Sequence, residues 1–143
     1  MLYFDTSYLV RLYLEDHGAE QVRSLAASDA IACSFHGEIE SMAAFHRAYR
    51  EKRLTHAGYL TLLDQFKDDD KAEAFSWLPL DRKLVPRLEK VYRKASSDFF
   101  LRTADALHLV CARENGFTEI YSHDTRMLSA APMFGLKAKN IIR

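Results

Sequence analysis

Glycine is scarce in this chain, and its five glycines stand far apart at positions 18, 37, 58, 116 and 135. A P-loop and a dinucleotide-binding fingerprint each need several closely spaced glycines, so neither motif can be built here. The G-x-S-x-G turn that carries the nucleophile of many serine hydrolases is also missing. These absences exclude the common nucleotide-binding motifs and that class of hydrolase.

Cysteine and long apolar runs are lacking as well. The two cysteines, Cys33 in a strand-like run and Cys111 in a helical pattern, predict small core residues in a reducing compartment. Six histidines show neither HExxH spacing nor a CxxC companion, which argues against a zinc site. The start of the chain reaches Asp5 after three apolar residues, and no later stretch approaches the length of a membrane span. We therefore expect a soluble cytoplasmic protein with no membrane association.

Net charge is zero, because twenty basic residues balance twenty acidic ones. Whole-molecule charge therefore gives no argument for a nucleic-acid partner. Two local groups are basic, and either could line a phosphate track for RNA, with a solvated helix face as the alternative. The first group is Arg82, Lys83, Arg87, Lys90, Arg93 and Lys94, and the second is Arg47, Arg50, Lys52 and Arg53.

Short apolar runs alternate with longer stretches of helical period, which is typical of βαβ units and a mostly parallel sheet. The pattern predicts strands at about 2–5, 30–34, 75–79, 119–122 and 138–141, and helices at about 6–15, 18–27, 36–51, 55–72, 81–95, 101–115 and 125–131. Pro86 predicts a late start or a kink in the fifth helix, and Gly116 predicts the end of the sixth. With no linker or repeat, we expect one α/β domain over residues 1–143.

Four acids lie at predicted strand or helix boundaries: Asp5, Glu40, Asp105 and Asp124. In a parallel α/β sheet, ligands bind beyond the carboxyl ends of the strands, so one fold can bring these acids to one edge. Hard divalent cations prefer oxygen ligands. The pattern therefore predicts a carboxylate cluster that holds Mg²⁺ or Mn²⁺.

Each acid also has a purely structural interpretation. Asp5 and Asp124 each follow a strand and precede a helix, where a carboxylate can serve only as an N-cap. Asp105 lies on an apolar helical stripe, where an unpaired carboxylate is costly. A metal ion, Arg102 or a protonated His108 would each compensate its charge, and the sequence leaves this choice open.

The second acid is ambiguous, because Glu38 and Glu40 lie two residues apart at the start of the third helix. Residues with this spacing face different directions, so only one can point inward. The apolar residues Met42 and Phe45 continue a stripe around Glu40, which favours it. Glu38 then is a first-turn acid that the helix dipole stabilises.

Four motifs together resemble the PIN-domain ribonucleases, especially the VapC-type toxins of bacterial toxin–antitoxin modules. They are residues 4–10 (FDTSYLV), the spacing from Ser34 to Glu40, residues 101–109 (LRTADALHL) and residues 122–124 (SHD). The resemblance implies a three-layer α/β/α sandwich and a Mg²⁺- or Mn²⁺-dependent endoribonuclease. It also implies an RNA substrate, a homodimer and neutralisation by a small cognate antitoxin.

The resemblance also implies roles for individual residues. Asp5 and Asp105 match the principal metal-binding aspartates of the family, and Glu40 and Asp124 match the additional catalytic acids. The neighbouring hydroxyls belong to Thr6, Ser7 and Ser122, which we expect to support the site.

Two alternatives to a nuclease remain at this level. One is a non-catalytic α/β binding module whose acids are helix caps and ion pairs. The other is a carboxylate-metal phosphatase, which Ser7 disfavours because that chemistry usually places a second aspartate there.

Overall fold

The computed structural model describes all 143 residues. The five strands are β1 (Leu2–Tyr3), β2 (Ile31–Ser34), β3 (Phe75–Leu78), β4 (Glu119–Tyr121) and β5 (Lys137–Lys139). The seven α-helices are α1 (Thr6–Leu9), α2 (Ala19–Ala26), α3 (Phe35–Arg50), α4 (His56–Lys71), α5 (Leu84–Lys94), α6 (Thr103–Glu114) and α7 (Thr125–Ala130). Every predicted strand and helix is therefore present. No helix in the structure combines the length and the hydropathy that a membrane span requires.

All strand pairs are parallel. One ladder has the order β1-β2-β3 and the other pairs β4 with β5. A single parallel bridge between Phe4 and Tyr121 joins the two ladders, and the Asp5 amide donates to the Tyr121 carbonyl. The combined strand order is β3-β2-β1-β4-β5, so the carboxyl ends of all five strands lie on one edge.

Successive side chains along each central strand point alternately into two hydrophobic cores on opposite faces of the sheet. Phe4 and Tyr121 pack into a core formed with α1 to α4. Tyr3 and Ile120 point the other way, into a core formed with α5 to α7. This alternation follows from the two-residue period of a strand. The result is a three-layer α/β/α sandwich, which confirms the predicted fold class.

The first helix is shorter than predicted. Instead of continuing to about residue 15, α1 ends at Leu9 and a 3₁₀ turn follows over Val10–Leu12. The buried Arg11 side chain explains the early end, because it donates to the carbonyls of Ser7 and His17 and fixes a chain reversal there.

The local signals of Pro86 and Gly116 are confirmed. The fifth helix starts late, at Leu84, which places Pro86 in the first turn where its missing N–H is not needed. Gly116 follows the end of α6 with a φ of 83°, a conformation that glycine adopts at little cost.

Candidate active site

The topology brings the four predicted acids to the carboxyl edge of the sheet. Asp5 directly follows β1, and Asp124 lies just beyond β4. Asp105 lies in the first turn of α6, and Glu40 lies in the second turn of α3, which follows β2. Each acid comes from a different crossover of the parallel sheet, so they meet only in the folded chain.

Asp5 is both a helix cap and a buried member of this cluster. Its Oδ1 accepts hydrogen bonds from Ser7 Oγ at 2.6 Å and from the Tyr8 amide at 3.2 Å. Its side chain is nearly inaccessible, and no basic group lies within ion-pair distance of it. Burial raises the pKa of Asp5, although its hydrogen bonds oppose that effect. A buried carboxylate that lacks a cation is an electrostatic cost in the absence of a ligand.

Hydroxyl groups join the ends of β1 and β4. Ser122 Oγ donates to Asp5 Oδ2 and accepts from the Asp124 amide at 2.9 Å. Ser7 Oγ accepts from the His123 amide at 2.9 Å while it donates to Asp5. Both predicted serines therefore hold Asp5 and fix the backbone around Asp124.

Arg102 pairs with two of the acids at once. Its guanidinium contacts Asp105 through Nε at 2.8 Å and through Nη2 at 3.1 Å, and the same Nη2 reaches Asp124 at 2.6 Å. The hydrogen bond to Asp105 raises the pKa of Arg102 further. Among the cations that the sequence left open for Asp105, the protein itself therefore supplies Arg102.

Asp124 is also the N-cap of α7, as the structural interpretation predicts. Its Oδ1 accepts from the Arg126 amide at 2.8 Å and from the Met127 amide at 3.4 Å. Burial raises the pKa of Asp124, but the Arg126 amide and the Arg102 guanidinium outweigh burial and lower it overall. The two roles are compatible, because Oδ1 caps the helix while Oδ2 pairs with Arg102.

Glu40 faces the other site residues and Glu38 does not. Glu40 Oε1 accepts from Thr6 Oγ1 at 2.7 Å and lies 2.8 Å from His108 Nε2. Burial raises the pKa of Glu40, but the hydrogen bonds from His108 and Thr6 lower it overall. Glu38 makes no hydrogen bond or ion pair with any of these residues, and burial, followed by the charge of Asp70, raises its pKa.

Two histidines lie beside Glu40, whereas the sequence pattern indicated His108 only as a partner of Asp105 and no role for His36. His36 Nε2 lies 3.3 Å and the buried His108 Nε2 lies 2.8 Å from the same oxygen, Glu40 Oε1, and the centroids of the two imidazole rings are 4.2 Å apart. These three residues form the only group of three metal-type ligands within 4.8 Å of one another, and no three of the four predicted acids approach so closely. The signals were the four-residue spacing from His36 to Glu40 and the three-residue spacing from Asp105 to His108.

The basic residues of α5 spread away from the acids. Arg87 Nε lies 3.1 Å from Glu114, at the far end of α6 and about 14 Å from Asp105 along the helix axis. Tyr92, near the other end of α5, donates to the Leu101 carbonyl. The two helices are thus antiparallel, and only the last residues of α5 approach the acidic edge.

The second basic group does not form one continuous track either. Arg47 pairs with Glu51 at 2.8 Å, and Arg53 pairs with Asp16 at 2.7 Å. These exposed pairs neutralise half of the group.

A three-layer sandwich with buried carboxylates at the carboxyl edge of a parallel sheet defines a class of α/β domains with an acidic site. The family model of the PIN domain matches residues 2–132, and the chain belongs to this family. Comparison with curated protein sequences gives no significant match.

Solved structures share the fold at low sequence identity. VapC20 of Mycobacterium tuberculosis, described as a sarcin-ricin loop cleaving toxin, is 16% identical with a TM-score of 0.67 over 91% of this chain and 95% of that chain. VapBC2 of Rickettsia felis, solved with a DNA fragment from its promoter, is 14% identical with a TM-score of 0.66 over 98% of both chains. At these identities the likeness establishes the fold alone.

Proposed function

We propose that this chain is a metal-dependent endoribonuclease and the toxin of a toxin–antitoxin pair. The observation that carries the proposal is the buried Asp5 carboxylate, which has no cation of its own. Hydrogen bonds connect Asp5 through Ser122 to Asp124, and Arg102 connects Asp124 to Asp105. Membership of the PIN family supports a nuclease built on these acids.

The chemistry of the donor set fits Mg²⁺ or Mn²⁺. Asp5 and Asp105 would be the principal ligands, with Glu40 and Asp124 as supporting acids, and carboxylate oxygens are what these hard cations prefer. When bound, such an ion polarises a phosphoryl oxygen and lowers the pKa of a water molecule. It would also balance the charge that Asp5 carries in a buried place.

The protein's own residues supply orientation and phosphate recognition. Ser7 and Ser122 each donate to one oxygen of Asp5 and so fix the plane of its carboxylate. Arg102 neutralises Asp105 and Asp124 in the free protein. A guanidinium matches phosphate as well as carboxylate, so Arg102 can turn towards an RNA phosphate when a cation takes its place.

The expected partners follow from the same family. We propose a homodimer that acts on RNA in the cytoplasm and is neutralised by a small cognate antitoxin. The structural likeness to VapBC2 of Rickettsia felis, which was solved bound to a DNA fragment from its promoter, supports a paired antitoxin. The two buried thiols, Cys33 and Cys111, suit a reducing compartment.

A non-catalytic binding module is the second candidate. The caps made by Asp5 and Asp124 and the ion pair between Arg102 and Asp105 favour it, because they give three of the acids a structural role. The phosphatase alternative gains no support, because Ser7 donates to Asp5 and offers no carboxyl group as an acid.

Incubation with total cellular RNA distinguishes these candidates. Purified protein is supplied with Mg²⁺ or Mn²⁺ or treated with EDTA, and the cut ends are mapped. We expect cleavage at defined sites with either ion and none with EDTA. Asp5→Asn and Asp105→Asn should each reduce cleavage by more than the roughly 10–100-fold typical of residues that only support a metal ligand. Full metal-dependent cleavage by either variant would contradict the assignment.

A further inference from the structure

The buried Tyr3 hydroxyl has its hydrogen bonds fixed by the backbone. Tyr3 Oη accepts from the Ser34 amide at 3.1 Å and lies 2.8 Å from His108 Nδ1. A backbone N–H can only donate. The hydroxyl hydrogen of Tyr3 must therefore find another acceptor, and His108 Nδ1 is the one within reach.

This contact determines where His108 carries its hydrogen. Because Nδ1 accepts from Tyr3, the neutral ring has its hydrogen on Nε2. The Cys33 thiol, 3.9 Å away, is a further weak donor near Nδ1. His108 Nε2 lies 2.8 Å from Glu40 Oε1, so it donates to the carboxylate. A ring with hydrogens on both nitrogens would leave the Tyr3 hydroxyl hydrogen without an acceptor.

The same reasoning applies to His36. Its Nε2 lies 3.1 Å from the Ala104 carbonyl, which can only accept, and its Nδ1 contacts Ser34 Oγ. His36 Nε2 therefore carries a hydrogen too. Neither histidine presents a free lone pair towards Glu40, because His108 Nε2 donates to Glu40 and His36 Nε2 donates to the Ala104 carbonyl. The group of His36, Glu40 and His108 is therefore not a separate metal site.

We propose that Tyr3 and His108 are positioning residues for Glu40. Tyr3 fixes the tautomer of His108, and His108 Nε2 and Thr6 Oγ1, which lie 3.2 Å apart, then both donate to Oε1 of Glu40. The other oxygen, Oε2, makes no hydrogen bond within the protein and is left for a ligand. This inference rests on the proposed function, in which Glu40 supports the metal ion.

Gly37 allows the helix that carries Glu40 to come this close. A Cβ atom at this position would lie 2.3 Å from Cys33 Sγ and 3.3 Å from His108 Cε1. A carbon atom cannot lie 2.3 Å from a sulfur atom to which it is not bonded, so only glycine fits at position 37. The relay of hydrogen bonds from Tyr3 through His108 to Glu40 thus depends on close packing of α3 against β2 and α6.

The test compares Tyr3→Phe with Tyr8→Phe. Tyr8 is a matched control because its buried hydroxyl also donates once, to Asn140 Oδ1, and accepts once, from the Ile141 amide. Calorimetric titration with Mn²⁺ should show affinity about 10-fold weaker in Tyr3→Phe, at the lower end of the range for residues that orient a metal ligand. Tyr8→Phe should bind Mn²⁺ as the wild type does. Equal affinities in all three proteins would overturn the proposal.

The tautomer of His108 gives a direct readout without metal or RNA. Nitrogen-15 NMR of the imidazole should show the hydrogen on Nε2 in the wild type and in Tyr8→Phe, and a mixed or changed tautomer in Tyr3→Phe. A hydrogen on His108 Nδ1 in the wild type would overturn the proposal.

A second pair of variants tests His108 if Tyr3→Phe does not fold. In the His108→Gln variant, the side-chain amide nitrogen at position 108 can take the place of Nε2 and donate to Glu40. The His108→Leu variant has no such donor. We expect His108→Gln to keep Mn²⁺ affinity within about threefold, and His108→Leu to lose roughly 10–100-fold. Equal losses would overturn the positioning role.

The failure of this inference and the failure of the proposed function give different results. If the wild type cleaves RNA with Mn²⁺ but all variants behave alike, only this inference fails. If the wild type binds no Mn²⁺, the proposed function fails with it.

Discussion

Asp5 bears the strongest conflict between stability and function in the chain. It is 3% exposed, has no ion-pair partner, and burial raises its pKa. Its three hydrogen bonds come from Ser7, Ser122 and the Tyr8 amide, and they reduce this cost without removing it. A site that must bind a cation is expected to keep such a residue even though the free protein is less stable for it.

We therefore predict that Asp5→Asn raises the melting temperature of the metal-free protein at pH 7. Asparagine keeps Oδ1 as the acceptor for Ser7 and the Tyr8 amide but removes the charge. The gain should be several degrees, since 1 kcal/mol shifts the melting temperature by roughly 3–5 °C in a chain of this size.

The pH dependence of this gain provides its control. The folded pKa of Asp5 is raised, so the cost of ionisation is complete above that pKa and disappears as the pH falls below the unfolded value of about 3.9. Melting curves of both proteins should therefore converge in acid. A gain that is the same at every pH would show that charge is not its cause.

Glu40 and Glu38 form a natural pair for comparison on α3. Glu40 accepts from Thr6 and His108, whereas Glu38 makes no hydrogen bond with a site residue. We predict that Glu40→Gln impairs RNA cleavage by at least about 10-fold, the loss typical of a removed metal-site contact, and that Glu38→Gln has little effect. Greater damage from Glu38→Gln would mean that α3 is rotated relative to this structure.

At the level of elements, the packing of α3 against β2 and α6 determines where Glu40 lies. Gly37 faces Cys33 of β2 and His108 of α6, with no room for a side chain. The residue is buried in the middle of the contact, so the helix cannot move away without opening the core. Packing between elements, and not a loop, sets the position of this acid.

We predict that Gly37→Ala destabilises the protein by about 1–3 kcal/mol, as overpacking of a close contact does. Chemical denaturation measures the change. Gly58→Ala is the control, because Gly58 also lies in a helix and a Cβ there meets only the Thr55 hydroxyl at 3.2 Å. That variant should not lose stability, and an equal loss in both would contradict the role of Gly37.

The sequence predicts the elements and all four acids from local patterns at strand and helix boundaries. A strand, an acid, small hydroxyls and a helix follow each other at Asp5, so its position at the sheet edge is readable from neighbours. Contacts far apart in sequence are not readable. The pairing of Arg102 with Asp124 and the relay from Tyr3 to His108 span 22 and 105 residues. The short α1 was missed for a different reason, because Arg11 follows α1 and donates to the carbonyls of Ser7 and His17, and the periodicity of the sequence does not show such side-chain to backbone contacts.

For the whole molecule, the direction of α5 determines which basic residues of the first group lie near the acidic edge. The helix runs antiparallel to α6, so Arg82 and Lys83 lie far from Asp105, while Arg93 and Lys94 lie at the end near Leu101. A neutral protein that binds RNA needs local positive charge near its site. The last turn of α5 is the part of the group that is placed to supply it, and Lys94 is its unpaired cation because Arg93 pairs with Glu89 at 2.7 Å.

We predict that replacing Arg93 and Lys94 with alanine weakens RNA binding equally for all sequences. The salt dependence should flatten by about 0.7 slope units for each lost contact with single-stranded phosphate. The double alanine variant of Arg82 and Lys83 removes the same charge at the far end and should bind RNA as the wild type does. An unchanged salt slope in the first variant would show that α5 is only a solvated face.

Calorimetric titration of the wild type and Asp5→Asn with Mn²⁺ shows whether the buried acids at the sheet edge form a divalent-cation site. Asp98→Asn is the control, because Asp98 is an exposed acid that makes no ion pair. We predict saturable Mn²⁺ binding in the wild type and in Asp98→Asn, and affinity reduced by more than about 100-fold in Asp5→Asn. Identical isotherms for the wild type and Asp5→Asn would contradict the account.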